Sequence, residues 1–329
     1  MTLVIILFMH FCRVNENGVL SNSSRRLPTQ TALTIGTFDG IHLGHQALIQ
    51  KTQLIAKRHG IASAVVLFEP HPKEWFLQDQ APPRLSFLQD KLRYLAEFDI
   101  DYVICIRFNH TIAQLSPEAF VQRILLSALN AQHIIVGQDF RYGAKRQGDV
   151  AHLKTMADSQ GIEVCVLQDQ TVDGKRVSSS NIRQQLINGH FKNAQQLLGR
   201  DFQIIGKVRH GDKKGRHIGF RTLNIPLSRP FVLSGVYVVK AYINDTAFFG
   251  MANVGVRPTV DGHKRLLEVH LFNATGDFYG QPVCVCFLHF LRPEIKFTGL
   301  DALKAQLNHD KLTANQWLNE SNLMGSIDL

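Results

Sequence analysis

Gly36-Thr37-Phe38-Asp39-Gly40-Ile41-His42-Leu43-Gly44-His45 closes a short apolar run, Ala32 to Thr37, and opens a longer amphipathic segment. A continuous apolar run of this length reads as a strand buried on both faces. Gly36, Gly40 and Gly44 permit tight turns and close approach of backbone to a ligand, and N–H groups at the start of a helix can meet phosphate oxygens. His42 and His45, three residues apart, project from one face of the first helical turn. The stretch therefore predicts an anion-handling turn at the carboxyl edge of a parallel sheet.

Outward from it the same alternation recurs. Apolar runs at Ala62 to Phe68, Tyr102 to Arg107, His133 to Val136 and Val164 to Leu167 are separated by helical segments. That order predicts an α/β, doubly wound, Rossmann-like parallel sheet with right-handed crossovers. After about Leu186 the pattern changes to Ile204 to Val208, Gly235 to Tyr242, Ala247 to Val254, Leu266 to Phe272 and Val283 to Phe290, bounded by Gly, Pro, Asn or Asp. Leu267-Glu268-Val269-His270-Leu271 alternates with period two, so Glu268 and His270 share one face of a strand. A small antiparallel β-barrel is expected, followed by C-terminal helices at Leu300 to Leu307 and Leu312 to Leu318. At about 150 residues per domain, 329 residues suit two domains, placed at 31–187 and 188–329 after an extension, 1–30.

The chain carries 36 Lys plus Arg against 27 Asp plus Glu, a formal charge of +9, without a polybasic run. Nucleotides, nucleic acids and anionic membranes all fit such a balance. Most of the excess falls after Ile187, much of it around Lys207, Arg209, Lys213, Lys214, Arg216 and Arg221. No apolar run approaches the roughly 20 residues of a spanning helix, and Leu3 to Cys12 lacks a preceding basic residue. The five cysteines, Cys12, Cys105, Cys165, Cys284 and Cys286, form no C-x-x-C pair. A reduced, cytoplasmic protein without a disulfide framework or structural metal is expected.

Further stretches follow the expected strands in order: Phe68-Glu69-Pro70-His71-Pro72, Val136-Gly137-Gln138-Asp139-Phe140-Arg141-Tyr142-Gly143, and Ser178-Ser179-Ser180-Asn181-Ile182-Arg183. In the second half come the glycine- and cation-rich stretch from Gly206 to Asn224, then Gly250 to Thr259, Leu267 to Leu271 and Phe278-Tyr279-Gly280. Through these, and the H-x-G-H signature of nucleotidyltransferases, the chain resembles the bacterial bifunctional riboflavin kinase/FAD synthetase family from about Leu33 to Lys311.

The resemblance implies an FMN adenylyltransferase sheet domain and a riboflavin kinase barrel. In the first, His42, His45 and Arg183 would carry transition-state charge. Gly36, Phe38, Asp39, Gly40, Gly44, Ser178, Ser179 and Ser180 would bind nucleotide and phosphate, and His71, Asp139, Phe140 and Arg141 would line the flavin site. In the barrel, Gly211, Lys213, Gly215, Arg216 and Gly219 would cover ATP phosphates, Thr222 and Asn224 would hold Mg2+, and Glu268 would be the general base. ATP, riboflavin, FMN and FAD are the implied substrates and products, with no nucleic acid or membrane partner and no indication of oligomeric state. Chemistry agrees, since phosphoryl transfer needs a metal on the phosphates and a carboxylate at the nucleophile.

Arg221 and Leu223 stand where the family carries Pro and Ala in Pro-Thr-Ala-Asn. Two further readings follow: an FAD synthetase whose barrel binds flavin or nucleotide without turning it over, and a nucleic-acid-binding protein using the basic barrel. Against the second, Phe248, Phe249, Phe287 and Phe290 lie within apolar runs, as core residues do and stacking platforms do not.

Overall fold

The computed structural model describes residues 10–14, 27, 29–210, 219–259 and 262–323. The chain forms two compact units, Met1–Pro82 with Asp90–Ser179, and Pro83–Gln89 with Ser180–Leu329. Composition placed the division after residue 187; by packing, the helix Ser179–Ile187 falls almost wholly in the second unit. No helix among the described residues is long and apolar enough to cross a membrane.

In the first unit, β1 (His10–Val14), β2 (Thr31–Gly36), β3 (Ala62–Glu69), β4 (Tyr102–Arg107), β5 (Ala131–Gly137) and β6 (Glu163–Leu167) lie in the order β1-β4-β3-β2-β5-β6. Every pairing is parallel. Five strands are the apolar runs of the sequence. The sixth, β1, arises within the stretch read as an extension and pairs with β4 at the sheet edge.

Successive strand residues point to opposite faces. Ala32 and Ile135 pack against Ala56 of α1 (Leu43–His59), whose buried residues Ile49, Thr52 and Ala56 fall on one helical stripe. Leu33, Val66, Ile104 and Ile134 face the other way, onto Phe120, Ile124, Leu125 and Leu153. Each such aliphatic side chain contributes about 1.5–3 kcal/mol on burial. Packing on both faces is thus what makes the strands continuously apolar. Gly60, left-handed at φ 65°, ends α1 by donating its N–H to Ala56 O. Thr171–Val172 and Lys175–Arg176 form β7 and β8, a small hairpin after β6.

The second unit contains β9 (Gln203–Lys207), β10 (Leu223–Leu227), β11 (Gly235–Ile243), β12 (Thr246–Thr259), β13 (Gly262–Leu271) and β14 (Pro282–Arg292). They form an antiparallel sheet ordered β10-β13-β12-β11-β14-β9. Arg209 N–H donates to Asn224 O at 2.8 Å, so the ends nearly close into a barrel. Closure explains Gly206: a Cβ there would collide with the side chain of Ile225. Strand β10 escaped the sequence reading because it contains Pro226, which sits exposed on the strand. Phe249 and Phe287 are core residues as expected, while Phe248 and Phe290 are half-buried.

The two expected C-terminal helices are one, Leu300–Glu320. Asp310 looks like a polar break between apolar segments, but it is buried and accepts from Arg292 Nε at 2.8 Å and Nη2 at 2.7 Å. With that charge paired, the helix runs on, packing Ala314 and Leu318 near Val238, Phe249 and Met251.

Candidate active sites

In the first unit the quoted turn joins β2 to α1. Its path is set by Gly40 (φ 88°) and by two side chains in left-handed backbone, Phe38 (φ 48°) and Ile41 (φ 39°), both fully buried. For a β-branched residue such as Ile41 this conformation is costly and persists only where packing enforces it. Lys91, itself buried, donates to Thr37 O at 2.8 Å, and Ser179 Oγ donates to Asp39 O at 2.8 Å. The turn is therefore held by buried apolar anchors and by hydrogen bonds from outside it.

This rigidity positions the two histidines. His42 is buried and caps α1, its Nδ1 accepting the His45 N–H at 3.3 Å. The two rings stack with centroids 3.7 Å apart, and Phe38 lies 5.0 Å from His45. A Cβ at Gly44 would stand 3.2 Å from the His42 ring, which would have to shift by a few tenths of an ångström to admit it.

Strands β3, β2 and β5 are neighbours, so His71, the H-x-G-H turn and Asp139 to Arg141 all follow carboxyl ends of adjacent strands. His71 caps α2 (Pro72–Leu77), its Nδ1 accepting from Lys73 N at 3.0 Å. Asp139 pairs with Arg176 at 2.6 Å and Arg141 with Asp149 at 3.5 Å. Phe140 stacks on Tyr142, centroids 5.5 Å apart. Burial pushes the Tyr142 phenol well above its usual range, so it stays protonated and donates to His152 Nδ1 at 2.8 Å. His152 Nε2 then faces Glu118 at 3.0 Å. Sequence reading missed this relay, and missed the apolar surface of α2, where Trp75, Phe76 and Leu77 are exposed. Arg183 belongs to the second unit, where its Nε donates to Pro83 O at 2.6 Å.

In the barrel a cavity of about 950 Å³ is lined by Gly219, Thr222, Asn224 and His270, within the range of small-molecule sites. Asn224 is buried and its Nδ2 donates to Thr222 O at 3.3 Å, orienting the amide. Hydroxyl and amide oxygens are hard donors, so Thr222 and Asn224 fit a Mg2+ that retains waters and binds phosphates. Gly211, Lys213, Gly215 and Arg216 lie outside the described residues.

Glu268 is the direct cross-strand partner of Asn224 on β10 and of Asn253 on β12. The three side chains therefore form a row on one face of three adjacent strands. Asn253, not singled out from the sequence, has a buried Oδ1 without a hydrogen-bond partner, while its Nδ2 donates to Glu294 at 3.3 Å. A polar residue inside the apolar stretch Gly250 to Val256 was the available signal. His270 Nδ1 donates to Arg221 O at 2.8 Å, and burial holds its imidazole below the ordinary value. That bond anchors Arg221 by its backbone while its side chain is exposed, and Leu223 enters β10 opposite Val269.

Comparison with known proteins assigns a module to each unit. The family model for FAD synthetase matches residues 24–181 and that for riboflavin kinase matches 198–318. Sheet and barrel thus define a two-module transferase of flavin nucleotides. Over 300 residues the chain is 41% identical to the bifunctional riboflavin kinase/FMN adenylyltransferase of Escherichia coli, covering 91% of this chain and 96% of that one. The Haemophilus influenzae protein of the same description is also 41% identical, covering 91% and 97%. That of Pseudomonas fluorescens is 43% identical, covering 85% and 91%. The chain belongs to the bifunctional riboflavin kinase/FMN adenylyltransferase family. A crystal structure from Streptococcus pneumoniae, described as a macrolide-efflux protein, superposes with a TM-score of 0.71 at 29% identity, covering 88% of this chain and 95% of that one.

Proposed function

We propose that this protein makes both flavin cofactors. The barrel transfers the γ-phosphoryl group of ATP to riboflavin, giving FMN and ADP. The sheet unit then transfers the adenylyl group of a second ATP to FMN, giving FAD and pyrophosphate. The observation that carries the reading is the presence, in one chain, of a stacked His42–His45 pair at a sheet edge and an Asn224–Glu268–Asn253 row on a barrel wall.

In the adenylyl step an FMN phosphate oxygen attacks the α-phosphorus of ATP and pyrophosphate leaves. Catalysis of this kind is positioning plus stabilisation of charge, since the substrate itself supplies the nucleophile. His42 and His45 provide donors on one face of the helix start, and Gly36 to Gly44 with Ser178 and Ser179 bring backbone and hydroxyl groups to the phosphates; for Ser180 and Arg183, phosphate and pyrophosphate binding rests on the family resemblance alone. His71, Asp139, Phe140 and Arg141 border the flavin, with the apolar residues of α2 offering surface to its ring.

In the kinase step Glu268 accepts the proton of the riboflavin 5′-hydroxyl as that oxygen attacks the γ-phosphorus. Mg2+, which Thr222 and Asn224 would hold, supplies neutralisation of phosphate charge. Small-molecule substrates and ATP fit a reducing cytoplasm.

The test is to incubate the protein with riboflavin and MgATP, and separately with FMN and MgATP, and to separate the products by chromatography. FMN from the first and FAD from the second are expected. FAD without FMN formation would leave only the adenylyl activity and assign the loss to Arg221 and Leu223. Salt-sensitive oligonucleotide binding without flavin turnover would favour the nucleic-acid reading.

A further inference from the structure

A second cluster of side chains lies at the far end of α1 from His42. His59 is the last residue of α1, His133 sits near the start of β5, and Glu163 is the first residue of β6. His133 and Glu163 are register partners across the parallel strands. All three stand at the end of the sheet opposite the edge that carries the H-x-G-H turn. The His59 and His133 rings have centroids 4.2 Å apart, and His133 Nδ1 lies 3.0 Å from Glu163 Oε2. One ligating atom from each of the three falls within 4.8 Å of the others.

The His133–Glu163 ion pair by itself does not account for the His59 ring that stands beside it. His133 is buried, and its Nδ1 approaches the carboxylate without the alignment of a hydrogen bond. Two imidazoles and a carboxylate converging from a helix end and two strand starts are instead the donor set of a borderline divalent ion, with water completing a tetrahedron. His59 and Glu163 are exposed, giving an ion a route in from solvent. The negative end of the α1 dipole adds a field that favours a cation.

We propose that His59, His133 and Glu163 form a binding site for a divalent transition-metal ion of the zinc class, which fastens the end of α1 to the β5–β6 side of the sheet. The site is separate from the Mg2+ that the phosphoryl chemistry uses. It was hidden in the sequence because its ligands come from three distant elements with no metal-binding spacing.

The experiment uses the full-length protein freed of metal with a chelator, titrated with ZnCl2 in competition with a chromophoric chelator, and separately with CoCl2 while visible absorption is recorded. Expected are one high-affinity equivalent of Zn2+, intense absorption typical of tetrahedral cobalt, and a zinc-dependent rise in Tm that excess MgCl2 does not reproduce. His59→Gln and Glu163→Gln change exposed positions, so each variant should keep the metal-free Tm yet bind Zn2+ about tenfold or more weakly. Absence of Zn2+ binding, a weak octahedral cobalt spectrum, or variants that bind as tightly as the unchanged protein would each overturn the proposal.

Discussion

The Nδ1 of His42 accepts the backbone N–H of His45 at 3.3 Å while the two imidazoles stack 3.7 Å apart. One side chain thus caps the start of α1 and belongs to the pair proposed to act on phosphate. With Nδ1 committed as an acceptor, the proton of neutral His42 resides on Nε2, where it can be donated to a phosphate oxygen.

Gly44 leaves that geometry undisturbed, since a Cβ there would press on the His42 ring at 3.2 Å. Ala is favoured over Gly in a helix by about 1 kcal/mol. Gly44→Ala should therefore leave Tm unchanged or raised, yet slow FAD formation from FMN by about tenfold or more through misplacement of the imidazole. Steady-state adenylylation assays beside thermal melts check this; full activity in the variant would contradict the positioning argument.

Glu268→Gln keeps the shape of the Asn224–Glu268–Asn253 row but removes the proposed base. Riboflavin phosphorylation should fall by about 10²–10⁴-fold, with adenylylation of supplied FMN unaffected. Chromatography of the two half-reactions reads the split directly. Parallel loss of both would show that the division of labour between the units is wrong.

Asp310 is buried and bound through two nitrogens by Arg292, so Asp310→Ala leaves an uncompensated guanidinium against the terminal helix. A loss of about 3–5 kcal/mol is expected. Trp317 lies on that helix, stacked on His289 at 5.0 Å, and in a Trp75→Phe background its fluorescence during a urea melt reports on this unit. An unchanged midpoint would mean the pair contributes nothing to stability.

Three histidines, His133, His270 and His289, have imidazoles held below the ordinary value of 6.5, in each case chiefly by burial. His59 and Glu163 flank the first and Lys311 the second. A depressed folded value means that the unfolded chain binds more protons once pH drops below about 6.5. Stability should be fully present above that pH and fall as pH moves from about 6.5 down through the folded values. Scanning fluorimetry between pH 7.5 and about pH 5 measures it; a flat or rising Tm on acidification would refute the assignment.

Much of this protein was legible in its residues because the signals are local. Continuous apolar runs such as Ala62 to Phe68 exist only where both faces of a strand are covered, so the parallel sheet announced itself, and the period-two pattern at Leu267 to Leu271 did the same for the barrel. The H-x-G-H turn was equally plain, since glycines and histidines at that spacing have few other uses. Tertiary structure alone decided what depends on partners remote in sequence. It made His10–Val14 an edge strand, joined two helical segments through the buried Asp310–Arg292 pair, and set Asn253 beside Glu268. It also drew His59, His133 and Glu163 together. A hydrophobic period records which face of an element is buried; only the packed fold determines which polar groups from separate elements meet there.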